Sequence, residues 1–226
     1  MSAPRIAVVG PGAIGAPVTV DAPVLTEPAT VDGPVDWVFL AVKAHQTEGV
    51  RDWLKALAGP QTVVVVLQNG VEHRERVVPL AGEAAVLPAI VWCPAEATAP
   101  GRIRLRGEPQ LSVPADANGA ALARLLAGGA QVSLVDDFTT EVWRKLCVNA
   151  VAGLMVLTGR RAAMFRRADV ATLARDFALE CIAVARAEGA RLSDDEAGTV
   201  VGNFAAMPAD LGSSIVFDRE AGRPLE

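Results

Sequence analysis

An α/β amino-terminal half followed by an all-helical carboxyl-terminal half is the fold this sequence predicts. Three observations carry the prediction. The chain opens on a short β-branched strand that runs into a glycine turn, strands and helices alternate from Asp36 to Val135, and beyond Phe138 the apolar residues keep a helical spacing. Asp136-Asp137 supplies an N-cap for the first long helix, so the boundary divides the chain into residues 1–136 and 137–226.

Ile6-Ala-Val-Val9 is the first strand, and Gly10-Pro11-Gly12-Ala13-Ile14-Gly15 follows it directly. This is G-x-G-x-x-G in its meaningful context, a strand before it and a helix start expected after it. The first glycine makes a tight turn, the second lets backbone approach a pyrophosphate, and the third allows close helix–strand packing. Dinucleotide binding in a Rossmann-like domain is the functional reading; a plain glycine turn is the structural one. The pattern then breaks. Pro17, Pro23, Pro28 and Pro34 exclude an ordinary helix over 16–34, which reads as short strands and turns. Asp32 and Asp36 precede the next strand instead of ending one, so neither is a ribose carboxylate. Relative to a normal βαβ start, a helix–strand unit of roughly 30 residues is missing.

Regular alternation follows. Trp37–Val42 is a strand, Lys43 opens a helix to Leu57, Thr62–Leu67 is a strand ending in Gln68-Asn69-Gly70, Val71–Leu80 is a helix, and Ala85–Val91 is another strand. Lys43 and Asn69 thereby fall at the carboxyl ends of neighbouring parallel strands, where open α/β sheets bind ligands. Asn69-Gly70 also reads as a simple turn. Cys93 to Val113 alternates as a β-meander extending the sheet, Ala117–Leu126 is a helix and Gln131–Val135 the last strand. Helices follow over Phe138–Leu157, Ala168–Glu188 and Asp194–Phe204, with Ser193 and Glu196 read as a capping box.

The helix beginning Glu141-Val-Trp-Arg-Lys-Leu-Cys-Val-Asn-Ala150 is apolar nearly all round. Lys145, Asn149 and Gly153 are four apart and line one side. A lysine in such a helix faces a cavity or a carboxylate, unless it snorkels to solvent beside Arg144. The line reads as a cleft wall with a proton donor, an amide and a gap.

The 226 residues are 51% hydrophobic and 21% charged, which excludes disorder. A net charge of −5 with both signs interspersed offers no nucleic-acid or membrane surface. No apolar run reaches the roughly 18 residues of a membrane helix. Cys93, Cys147 and Cys181 have neither disulfide-framework nor metal-ligand spacing, so no metal is expected and a cytoplasmic setting is.

The chain resembles the ketopantoate reductases (2-dehydropantoate 2-reductases) from Arg5 to Glu226, apart from the gap after Gly15. The motifs that carry the resemblance are the glycine turn, Lys43-Ala-His-Gln46, Gln68-Asn69-Gly70-Val71, Trp143-Arg-Lys145-Leu-Cys-Val-Asn149 and Ser213-Ser214-Ile-Val-Phe-Asp218-Arg-Glu-Ala-Gly-Arg223-Pro-Leu-Glu226. It implies NADPH-dependent reduction of 2-dehydropantoate to pantoate in pantothenate biosynthesis. Lys145 would then be the general acid and Glu226 the carboxylate that orients it. Asn149 and Ser214 would bind substrate, Arg223 would flank the site, and Lys43 and Asn69 would lie on the cofactor side. Two positions depart from the family pattern: Gly153 and Leu211 stand where asparagines are common. Reduction of another small 2-keto acid, or dinucleotide binding without turnover, are the alternatives. A homodimer is left open.

Overall fold

Four short strands, β1 (Ile6–Val9), β2 (Trp37–Leu40), β3 (Val63–Val66) and β4 (Ala85–Pro88), pair in parallel and in sequence order. Their register is continuous, so Val9, Leu40, Val66 and Pro88 all lie at one edge. The computed structural model describes residues 3–10, 23–93, 95–99, 102–105 and 107–225. Two compact units emerge, Met1–Phe138 and Thr139–Glu226.

The valines of β3 explain the first unit. Successive side chains on a strand point to opposite faces. Val64 and Val66 enter a core with Val38, Leu40, Val50, Leu54 and Leu57, whereas Val65 enters a second core with Leu87, Leu111, Val113 and Leu122. Burial on both faces is what an inner strand of a parallel sheet requires. β1 is buried on one face only: Val9 is 8% exposed, but Ile6 and Val8 are 48% and 55% exposed.

Between β1 and β2, residues 23–36 hold a single 3-10 turn, Pro28–Thr30, and no strand, so the short strands expected there are not formed in that stretch. Asp36 lies at the amino end of β2, where its carboxylate accepts the Arg5 backbone N–H at 2.7 Å. That is the far end of the sheet from any ribose site, in keeping with its rejection from sequence.

The helices on this unit are shorter than their patterns. Residues Ala44–Val50 form a 3-10 helix that becomes α1 (Arg51–Leu57). The next helix, α2, runs only from His73 to Val77 before Pro79, which has no N–H to continue the ladder, tightens the chain into a 3-10 turn over Val78–Leu80.

Two sheet expectations are corrected. Ala85–Val91 is not one strand: Pro88 ends β4, and β5 (Ile90–Trp92) starts a different sheet. Nor does the meander extend the parallel sheet. β6 (Ala95–Ala99) and β7 (Arg102–Leu105) pair with each other, while β8 (Gln110–Pro114) pairs antiparallel with β5 and parallel with β9 (Gln131–Val135). The β8–β9 crossover is α3 (Ala117–Leu125), capped by Asp116 Oδ1 accepting the Gly119 N–H at 2.8 Å.

The second unit is helical: α4 (Phe138–Thr158), α5 (Ala168–Ala187), α6 (Asp195–Ala206) and α7 (Ser214–Glu220), with a 3-10 turn at Ala162–Arg166. Its core follows helical spacing, Ala174, Ala178, Ile182 and Ala185 from α5 meeting Ala197, Val200, Val201 and Phe204 from α6. Phe165 packs on Phe204 with ring centroids 4.8 Å apart. The expected Ser193–Glu196 capping box is not made. The Glu196 carboxylate turns to Arg144 instead, accepting from its Nε at 2.6 Å and Nη2 at 3.2 Å, and the first turn closes through the backbone, Glu196 N–H to Ser193 carbonyl at 3.2 Å.

Two helical glycines have opposite consequences. A Cβ at Gly119 would fall on the Pro114 carbonyl oxygen, whereas at Gly202 it would meet nothing within 4 Å. Gly119→Ala is therefore expected to destabilise by about 1–3 kcal/mol, and Gly202→Ala to stabilise by about 0.5–1 kcal/mol. Urea denaturation of the two variants against wild type checks both signs.

Candidate functional site

Gly10 ends β1 with φ of 76°. A side chain here is excluded twice, by that backbone and by Val42, because a Cβ would overlap Val42 Cγ1 and lie 3.0 Å from its backbone nitrogen. The positive φ is in keeping with the tight turn read for the first glycine. Pro11, Gly12, Ala13, Ile14 and Gly15 lie outside the described residues.

Parallel pairing brings Gly10, Lys43 and Asn69 to the same edge, since each follows the carboxyl end of its strand. Lys43 is half-buried and extended (φ −61°, ψ 150°) at the head of the 3-10 helix, its N–H donating to Gln46 Oε1 at 3.1 Å. Asn69 is exposed, and its carbonyl accepts from Arg76 Nη2 at 3.2 Å. Gly70 has φ of 107°, with Arg76 Nη2 only 3.0 Å from where a Cβ would stand. Asn69-Gly70 thus bends the chain at the carboxyl edge of the sheet.

On α4, Lys145 and Asn149 are half-buried one turn apart. Burial pulls the Lys145 ammonium down from its ordinary value near 10.5 to about 8. Arg144 beside it behaves differently. It is held by Glu196 and by Glu141, and those partners raise its pKa further. The Arg144–Glu196 pair ties α4, the helix that carries Lys145, to α6, while Glu141 holds Arg144 from within α4. One turn past Asn149, a Cβ at Gly153 would meet no atom within 4 Å, so the line ends in open space.

Ser213 is the N-cap of α7, accepting the Val216 N–H at 3.3 Å, which leaves Ser214 exposed in the first turn. Arg223 folds back on buried Asp218, with Nε on Oδ1 at 2.8 Å and its backbone N–H on the Asp218 carbonyl at 2.9 Å. Glu226 lies outside the described residues.

Sequence reasoning passed over Arg161. Its Nη2 donates to both Glu220 oxygens at 2.6 and 2.8 Å, its guanidinium lies 5.1 Å from the Phe217 ring centroid, and it fills the place a side chain at Gly212 would take. It braces the turn that presents Ser213 and Ser214. The only hint in the sequence was a glycine before the serine pair.

Comparison with known proteins adds a family. Residues 16–118 match the family model described as ketopantoate reductase PanE/ApbA, and residues 137–226 match its C-terminal counterpart. The 2-dehydropantoate 2-reductase of Mycobacterium tuberculosis is 55% identical over 211 residues, covering 93% of this chain and 72% of that protein. Among solved structures, a dimeric ketopantoate reductase from Staphylococcus aureus superposes with a TM-score of 0.83 at 22% identity, over 97% of this chain and 86% of its own. A D-mandelate dehydrogenase with NADH and anilino(oxo)acetate superposes with a TM-score of 0.76 at 21% identity, over 88% of this chain and 68% of its own. These two likenesses show the fold.

A lysine whose pKa is lower folded than unfolded opposes folding wherever its charged form must be buried. For Lys145 that cost is full below about pH 8 and fades as pH rises toward 10.5, because there the unfolded chain holds the proton and the folded one does not. Lys145→Met is expected to raise Tm at neutral pH, with the gain shrinking toward about pH 10. Thermal scans of both proteins across that range test the sign.

Proposed function

The chain belongs to the ketopantoate reductase family, and from that premise we propose that it reduces the 2-keto group of 2-dehydropantoate to the alcohol of pantoate, with NADPH as hydride donor. The reaction is a cytoplasmic step of pantothenate synthesis. The observation that supports it most is the Lys145 ammonium, brought by burial to a pKa of about 8 within an apolar helix. A free lysine is too weak an acid at neutral pH to protonate a developing alkoxide efficiently; near 8 it is well matched.

The residues at the carboxyl edge of the parallel sheet suit a dinucleotide. Gly10 lets the chain leaving β1 close on Val42 at that edge, and Lys43 adds a cation at the same edge. NADPH, when bound, supplies hydride to the keto carbon. Lys145 donates a proton to the keto oxygen as negative charge builds there, and is recharged from solvent. Asn149 hydrogen-bonds the substrate, Ser214 receives its carboxylate at the first turn of α7, Glu226 orients Lys145, and Arg223, anchored on Asp218, flanks the site. Asn69 lies on the nicotinamide side. A homodimer is the proposed assembly, following the dimeric Staphylococcus aureus relative.

A second reading, another small 2-keto acid as substrate, is favoured by Gly153 and Leu211. Both lack the polar side chains that would recognise a substrate hydroxyl, and a site with fewer partners discriminates less.

Consumption of NADPH, followed by its absorbance, tests the proposal with 2-dehydropantoate and with a panel of other 2-keto acids. Turnover restricted to the panel selects the second reading. Lys145→Ala should lower kcat by about a hundredfold or more and leave NADPH affinity within about twofold. In wild type, kcat should fall above about pH 8 as the acid loses its proton. Gly153→Asn fills open space with an amide; one hydrogen bond of about 1 kcal/mol predicts a roughly fivefold lower KM for 2-dehydropantoate.

A further inference from the structure

We infer that Gln68 is a positioning residue, whose buried carboxamide joins the turns after β2 and β3 into one preformed surface for the dinucleotide. The inference rests on the reading that NADPH binds at this edge of the sheet.

Alternation along β3 places residue 68 on the same face as Val64 and Val66, beneath the 3-10 helix of Ala44–Val50. An apolar residue would suit that position, yet Gln68 is there and only 5% exposed. Its Nε2 donates to the Thr47 hydroxyl at 2.8 Å and the Val42 carbonyl at 3.2 Å, with the Lys43 carbonyl at 3.5 Å. Thr47 spends its own proton on the Ala44 carbonyl at 2.7 Å, so its oxygen is an acceptor. Both protons of the amide are thereby used on the segment that carries Lys43. Val42 is also the residue that Gly10 presses against, so one side chain bonds to the strand end on which Gly10 rests.

The backbone at Gln68 is held from the other side. His73 Nε2 lies 2.8 Å from its carbonyl, and burial lowers the His73 pKa, favouring the uncharged ring. Arg76 holds the next carbonyl, that of Asn69. Gln68 Oε1, by contrast, is buried with no hydrogen-bond partner. A buried carbonyl without a donor costs stability. The side chain is justified by what its nitrogen does: it fixes two loops that would otherwise be ordered by the ligand, and preorganisation raises affinity by removing that ordering cost.

The test uses the full chain, with NADPH binding followed directly by fluorescence and turnover measured in parallel. Gln68→Glu keeps the shape and removes both donors while ionised. Its NADPH Kd should rise about tenfold or more at pH 8 and recover as pH falls, because a protonated carboxyl again donates. The effect should fall on KM for NADPH far more than on kcat. Lys43, His45 and Glu48 on one side and Glu72, His73, Arg74, Glu75 and Arg76 on the other, the charged and titratable groups of the two segments that meet at Gln68, are common to both proteins, so the difference between profiles belongs to residue 68. Should the glutamate prevent folding, Thr47 decides: Thr47→Val should weaken NADPH binding several-fold while Thr47→Ser, which retains the oxygen, restores it. Melting temperatures separate this from simple destabilisation, which lowers Tm without moving the Kd of the folded protein. Wild-type Kd in Gln68→Glu at every pH, or equal Kd values for Thr47→Val and Thr47→Ser, overturns the inference alone. A wild type that neither binds nor oxidises NADPH overturns the proposed function and this inference with it.

Discussion

Parallel pairing of β1 through β3 is the constraint from which the amino-terminal site follows. When neighbouring strands run the same way, every loop that leaves a carboxyl end leaves at the same edge, whatever the length of chain between strands. Gly10, Lys43 and Asn69 are far apart in sequence and meet there because Val9, Leu40 and Val66 are in register. The sheet supplies the gathering, and the steric fit of Gly10 on Val42 brings the ends of β1 and β2 together. Gln68 then ties together two of the loops that the sheet has gathered.

In the helical unit the deciding effect is desolvation. Two adjacent basic residues on α4 have opposite fates: Arg144 is satisfied by Glu141 and Glu196 and is the better charged for it, while burial presses Lys145 toward its neutral form. A group poised between its two protonation states is what proton transfer at neutral pH needs. Such a group reduces folding stability, and the ion pairs of Arg144 and the apolar contacts of Cys147, Val151, Leu154 and Met155 keep α4 in place despite it.

The errors of the sequence reading share a cause. Apart from the proline breaks, each was a choice among partners that local pattern does not contain. Ser193 and Glu196 have the spacing of a capping box, but Arg144, 52 residues away, competes for the same carboxylate and offers it two N–H groups. Alternation across Cys93–Val113 was legible as strand, whereas membership of a separate sheet depended on β5 finding β8 and β8 finding β9. Pro88, by contrast, is a local break, because proline has no N–H to carry a ladder onward. Arg161 and Gln68 went without a role because nothing local distinguishes a guanidinium over Phe217 or a buried amide from ordinary polar residues.

Sequence alone determined the order of strand, glycine turn and alternating elements, the start of the helical half, and the placement of Lys43, Asn69, Lys145 and Asn149, because each is written in neighbouring residues through periodicity, propensity and turn chemistry; Ser214 was marked by the family resemblance alone. Tertiary structure alone decided which sheet each strand joined, that Arg223 folds onto Asp218, that Ser213 and not Ser214 caps its helix, and how far the pKa of Lys145 falls. Those outcomes are set by competition among groups distant in the chain and by the water that packing removes, and neither quantity has a local signature.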